Sequence, residues 1–226
     1  LPVRIAFKDR LLAQEYLFQV KRVDGQELAK ISSSHPSHIF FNNGWGKVQS
    51  FFLDGWHHIV RGYDHLVFIV TLLAASIAWR RWFWLLTAFT LAHGMTYGLA
   101  SFGWVQVKPE LIEPVIALTI LLTAISSLFK LRISGLAEVV FVFCFGLFHG
   151  LGFASALATQ LQEQKFPISS IVGFNLGIEV GQLAVCLMLG IIFEILKRSP
   201  QWLEKVRIWM IWSGFLAGGF WLFERI

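Results

Sequence analysis

His58, Asp64 and His65 fall within the stretch Trp56 to Leu66, which opens the first long apolar run of the chain. Polar groups carried into a membrane are expensive and are usually kept for function. His58 and His65 are seven positions apart, two helical turns, and so return to nearly the same face. Asp64 can bind a metal or orient its neighbour His65. Later apolar runs bring His93, His149 and Glu179. Imidazole with carboxylate, and no thiolate, suits a borderline divalent ion such as Ni²⁺, Co²⁺ or Zn²⁺. His58, Asp64, His65, His93, His149 and Glu179 are therefore the expected metal ligands. A ligand histidine needs its second nitrogen held, and Thr90, Tyr97, Asn175, Gln182 and Glu113 are the residues expected around that set. Glu113 and Arg61 could also form an ion pair or line an entry. The competing reading is a hydrogen-bonded network that only ties the helices together.

The elements that must position these groups are transmembrane helices. The chain has 226 residues, 56% of them hydrophobic and 15% charged, against about a quarter charged in soluble domains. Its mean hydropathy is +0.63. Ten Trp and 22 Phe suit lipid-facing and interfacial surface. The expected fold is an all-α polytopic membrane protein, a six-transmembrane-helix bundle with a short β-rich extracytoplasmic N-terminal segment. The net charge of +5 is explained by basic loops and calls for no nucleic acid. Cys144 and Cys186 lie inside apolar runs and read as small core residues. The chain starts at Leu1 with neither Met nor a signal-peptide pattern, so a processed or truncated chain is expected.

Residues 1–45 read as the tail of the extracytoplasmic segment. Val3, Ile5 and Phe7 alternate with Arg4, Ala6 and Lys8, and Tyr16, Phe18 and Val20 alternate less cleanly. Asp24-Gly25 suggests a hairpin turn, and His38 to Phe41 a further strand. His35 and His38 read as ordinary loop histidines. Residues 46–57 suit a short helix lying on the headgroups, and residues 58–226 the transmembrane domain. The spans are expected at about 58–79, 82–104, 112–129, 136–159, 167–196 and 208–223, each near the ~20 residues a bilayer needs. Pro114 falls in the first turn of the third, where it is tolerated.

Basic residues set the orientation. Arg80 and Arg81, Lys130 and Arg132, and then Lys197, Arg198, Lys205 and Arg207 follow the odd-numbered spans; only Lys108 and Lys165 follow the even ones. The odd loops are then cytoplasmic and both termini extracytoplasmic, in a bacterial inner membrane. Counted at ~1.5 Å per residue, His65, His93, His149 and Glu179 share the middle band of the ~30 Å core. Gly146, Gly150 and Ala154, and likewise Gly173, Gly177 and Gly181, recur every four residues and allow close helix approach. Asn175, Glu179 and Gln182 line a different face from the second glycine series.

Five stretches resemble the HupE/UreJ family of membrane proteins: His58 to His65, Phe89 to Thr96, Glu113 to Thr119, Phe145 to Ala154 and Phe174 to Gln182. The resemblance covers roughly residues 50–225. The family's first metal motif reads His-Pro-x-x-Gly-x-Asp-His; His58, Gly62, Asp64 and His65 match it, with Ile59 in place of the proline. His149 lacks the second histidine of the better-studied branch. Both departures resemble the second, larger branch. The resemblance implies six or more transmembrane helices and a nickel or cobalt transport role linked to hydrogenase and urease maturation.

Three functions follow. The first is a divalent-metal permease using the six expected ligands, working as a homo-oligomer or in a larger membrane complex. The second is an intramembrane zinc hydrolase acting on a lipid or membrane peptide, with Glu179 as general base. The third is an accessory subunit of a membrane complex, with a purely structural polar core.

Overall fold

The computed structural model describes residues 3–6, 16–22, 25–31, 37–40, 44–75, 78–131, 135–156 and 168–226. Among them are four short strands. β1 (Val3–Ala6) pairs antiparallel with β4 (Ser37–Phe40), and β2 (Tyr16–Arg22) with β3 (Gly25–Ile31). The pair Arg22↔Gly25 closes the second ladder. The predicted turn at Asp24-Gly25 therefore straddles the start of β3, and Asp24, like His35, lies outside the described residues.

Seven helices follow among the described residues: α1 (Gly44–Arg61), α2 (Tyr63–Ala74), α3 (Trp79–Ser101), α4 (Pro109–Leu128), α5 (Leu136–Ala156), α6 (Ile168–Leu196) and α7 (Pro200–Arg225). Four of them, α4 to α7, are long and apolar enough to cross a membrane. α3 has the length, 23 residues, but carries Arg80, Arg81, His93 and Tyr97 and falls outside that apolar set. α2 is apolar but has only 12 residues.

The expected first span, 58–79, is not one helix. Gly62 has ψ 95° and breaks the chain into α1 and α2. One hydrogen bond crosses into the break from each side, Gly62 N to His58 O (3.0 Å) and Leu66 N to Gly62 O (3.0 Å). A Cβ at Gly62 would lie 2.5 Å from the His58 carbonyl oxygen and 3.0 Å from His65 Nδ1, so the bend leaves no room for a side chain. The helix expected over 46–57 instead continues through His58 to Arg61 and packs lengthwise on α6. The glycine series of α6 makes this possible: a Cβ at Gly173 would press on the Val48 carbonyl, at Gly177 on Phe52 and at Gly181 on Ile59. Gly55 returns the contact against Phe174 and Ile178.

Other boundaries move for local reasons. Pro109 opens α4 three residues before the expected start, which puts Pro114 inside the helix. Ser199 and Pro200 start α7 early, so Lys205 and Arg207 belong to the helix rather than to a loop. Arg207 donates to the carbonyls of Ala74 (2.8 Å) and Ala75 (3.2 Å), closing the C-terminal end of α2. Gly214 and Gly218 let α7 approach Thr71 of α2 and Leu121 of α4. On α5, Gly146 and Gly150 sit on Phe89 and His93 of α3. The buried core runs between these pairs, through Ile59, Phe68, Leu73, Phe89, Ile120 and Ile178.

Candidate metal centre

The break at Gly62 places the end of α1 and the start of α2 beside the middle of α3. His58 comes from α1, His65 from α2 and His93 from α3. Their ring nitrogens can offer three ligand atoms that all lie within 4.8 Å of one another. The ring centroids are 4.4 Å apart for His58 and His65, 5.4 Å for His58 and His93, and 5.6 Å for His65 and His93. His65 and His93 are buried and His58 half-buried. Nε2 of His58, Nε2 of His65 and both ring nitrogens of His93 are buried without a hydrogen-bond partner. Orphaned buried polar atoms are rare and costly. One cation could take one nitrogen from each ring, three of the four, leaving the second nitrogen of His93 to another partner, and a donor set of neutral nitrogens suits a borderline divalent ion.

The surrounding wall is aromatic. Phe153 lies 4.1 Å from the His58 ring and stacks on Phe174 at 4.6 Å; Phe89 and Phe68 close the other side against His149 at 5.1 and 5.2 Å. Such a lining excludes water, so donor groups inside it act with little dielectric screening.

His149, on α5, is fully buried, with its ring 5.0 Å from that of His65, and stands beside the trio rather than in it. Its Nε2 is 2.9 Å from Thr119 Oγ1 of α4. Thr119 was not among the residues expected to hold a histidine. Its place in the Glu113 to Thr119 stretch, with hydroxyls recurring at Thr123 and Ser127, was the available signal.

The expected carboxylate ligands are engaged elsewhere. Asp64 binds Arg225 at the end of α7, at 3.2 and 3.4 Å. Glu113 joins the same arginine, 3.8 Å from Nε, rather than the expected Arg61. Glu179 accepts a hydrogen bond from the Thr87 hydroxyl at 3.0 Å. Arg225 was missed because a lone basic residue in the last turn of a terminal helix reads as a flank. Of the expected supporting groups, Thr90 donates to Gln182 Oε1 at 3.0 Å across α3 and α6, while Gln182 Nε2 is buried without a partner. Asn175 donates to the Ile171 carbonyl at 2.9 Å, and its buried Oδ1 faces Gly94. Tyr97 is buried with its ring 4.7 Å from Phe174. The polar face of α6 thus meets α3, while its glycine face meets α1.

A family model described as HupE / UreJ protein matches residues 36–225. The chain belongs to the HupE/UreJ family. No curated protein and no solved structure matches it. The family match takes in all seven helices, so every histidine of the cluster lies within the HupE/UreJ region.

Proposed function

We propose that this HupE/UreJ protein carries a divalent cation of the nickel or cobalt type across a bacterial inner membrane, and that His58, His65 and His93 hold that cation as cargo. The observation that supports this most is the group of partnerless, buried imidazole nitrogens gathered from three helices. In this reading α1 and α2 form one broken span, α3 a second, and α4 to α7 the remaining four. Broken helices are how several transporters place ion sites in mid-membrane. The β strands and both termini then lie on the extracytoplasmic side, with Asp64, Glu113 and Arg225 at the entrance. The imidazoles replace water shed by the ion, and the protein works as an oligomer or within a larger complex.

Carriage fits the geometry better than hydrolysis. A zinc hydrolase needs a carboxylate base beside an open coordination position. Glu179 instead bonds Thr87, six residues and about 9 Å of helix from His93. Accumulation of Ni²⁺ and Co²⁺ in a host lacking its own carriers tests the reading. The wild-type chain should raise accumulation, and His65→Ala and His93→Ala should abolish the gain at equal expression. Wild-type expression without any gain would remove the carrier role.

A further inference from the structure

Thr119 has one hydroxyl proton, and the Ile116 carbonyl takes it at 2.7 Å. Toward His149, Thr119 Oγ1 therefore acts as acceptor, and Nε2 of His149 carries the ring proton. The lone pair of the neutral ring is then on Nδ1, which is buried and has no partner. A hydrogen bond on one imidazole nitrogen that leaves the other as a free donor pair is the arrangement by which proteins prepare a histidine to bind a metal.

The same chemistry repeats along α4. Thr123 Oγ1 donates to the Thr119 carbonyl and Ser127 Oγ to the Thr123 carbonyl, each at 2.8 Å. Each hydroxyl gives its proton to the backbone and keeps its oxygen lone pairs. The three oxygens are spaced four residues apart, about 6 Å along the helix. Thr119 and Thr123 are 2% and 7% exposed. The file ends in a cleft of about 1180 Å³, which Thr123, Ser126 and Ser127 line with Glu138 and Glu204. The two arginines of this cleft are engaged, Arg81 with Glu138 and Arg207 with Glu204.

We infer that His149 is a second cation station, distinct from the trio, and that Thr119, Thr123 and Ser127 form the route from it to the cleft at the Arg81 end of the bundle. This rests on the carrier reading and adds its path. The cation passes from His65 to Nδ1 of the neighbouring His149 ring and then along hydroxyl oxygens. None of these groups changes its protonation.

The test uses the full chain in proteoliposomes, with Ni²⁺ as the probe, and measures bound metal and transport separately. Thr119→Val keeps the side-chain volume and removes the oxygen. The Ni²⁺ held by the trio should remain bound, binding at His149 should weaken, and the transport rate should fall roughly tenfold, the scale of one lost hydrogen bond of about 1.4 kcal/mol. Thr119→Ser should restore the rate. Ser127→Cys should react with a membrane-impermeant thiol reagent only from the Arg81 face, above the background of native Cys144 and Cys186. Wild-type transport by Thr119→Val, or no labelling of Ser127→Cys from that face, would overturn the route and leave the trio standing. A wild-type chain that binds no Ni²⁺ would remove the carrier reading and the route together.

Discussion

Asp64 and His65 are adjacent in sequence, yet their side chains serve different structures. His65 enters the imidazole cluster, and Asp64 turns to Arg225 at the end of α7. The Asp64 and Arg225 side chains are 24% and 20% exposed, so the pair is neither fully solvated nor fully buried. Pairs of this kind sit between the near-zero value of surface ion pairs and the several kcal/mol of buried ones. Arg225→Ala should therefore cost about 1–2 kcal/mol of stability. Asp64→Ala should cost a similar amount, and the double variant clearly less than the sum. Thermal unfolding of the four proteins in one detergent measures that coupling. Simple additivity would show that the pair does not hold the ends of α2 and α7 together. This residue-level division was only half legible in sequence. Polar side chains in an apolar run announced themselves through composition, and helical spacing put His58 and His65 on one face. Which group each side chain would meet depended on Arg225, some 160 residues away, and no local pattern encodes such a contact.

At the scale of elements, glycine spacing was the most readable signal. Gly173, Gly177 and Gly181 pointed to a close helix partner, and α6 has one. The spacing did not name the partner, which is α1. Gly44 to Gly55, with Trp45, Phe51, Phe52 and Leu53, has the amphipathic composition of a helix on a membrane surface, but that composition serves equally a helix laid against another helix. The break at Gly62 was also hidden. Glycine lowers helix propensity by about 1 kcal/mol yet occurs inside many membrane helices, so its presence did not fix a bend. The consequence is testable at Gly177, whose missing Cβ gives room to the Phe52 carbonyl. Gly177→Ala should push α1 from α6, at a cost of about 1–3 kcal/mol for overpacking. Because His58 rides on α1, the same variant should weaken metal binding with no change to any imidazole. Metal retention equal to wild type after confirmed destabilisation would show that the position of His58 does not depend on this packing.

For the whole molecule, the cluster is a junction. α1 is packed on α6, α3 on α5, and α2 is tied at its two ends to α7 through Arg225 and Arg207. Each histidine of the trio therefore carries a different helix pair to the same point. A ligand that binds only this assembled arrangement stabilises all of it by mass action. The gain is about 2.7 kcal/mol at a free concentration one hundred times the dissociation constant. For a chain of this size that corresponds to roughly 5–10 °C in Tm. Ni²⁺ added to the metal-free protein should raise Tm by that amount, and a chelator should reverse it. His93→Ala should unfold near the metal-free wild-type temperature and show almost no response to Ni²⁺. The size of the response carries the argument: a cation bound only to surface carboxylates or to the β strands would leave the helix junction unlinked and would act equally on His93→Ala. A nickel-dependent rise confined to the chain with all three imidazoles would tie the cluster to the cohesion of the bundle, because His93 of α3 meets both His58 of α1 and His65 of α2.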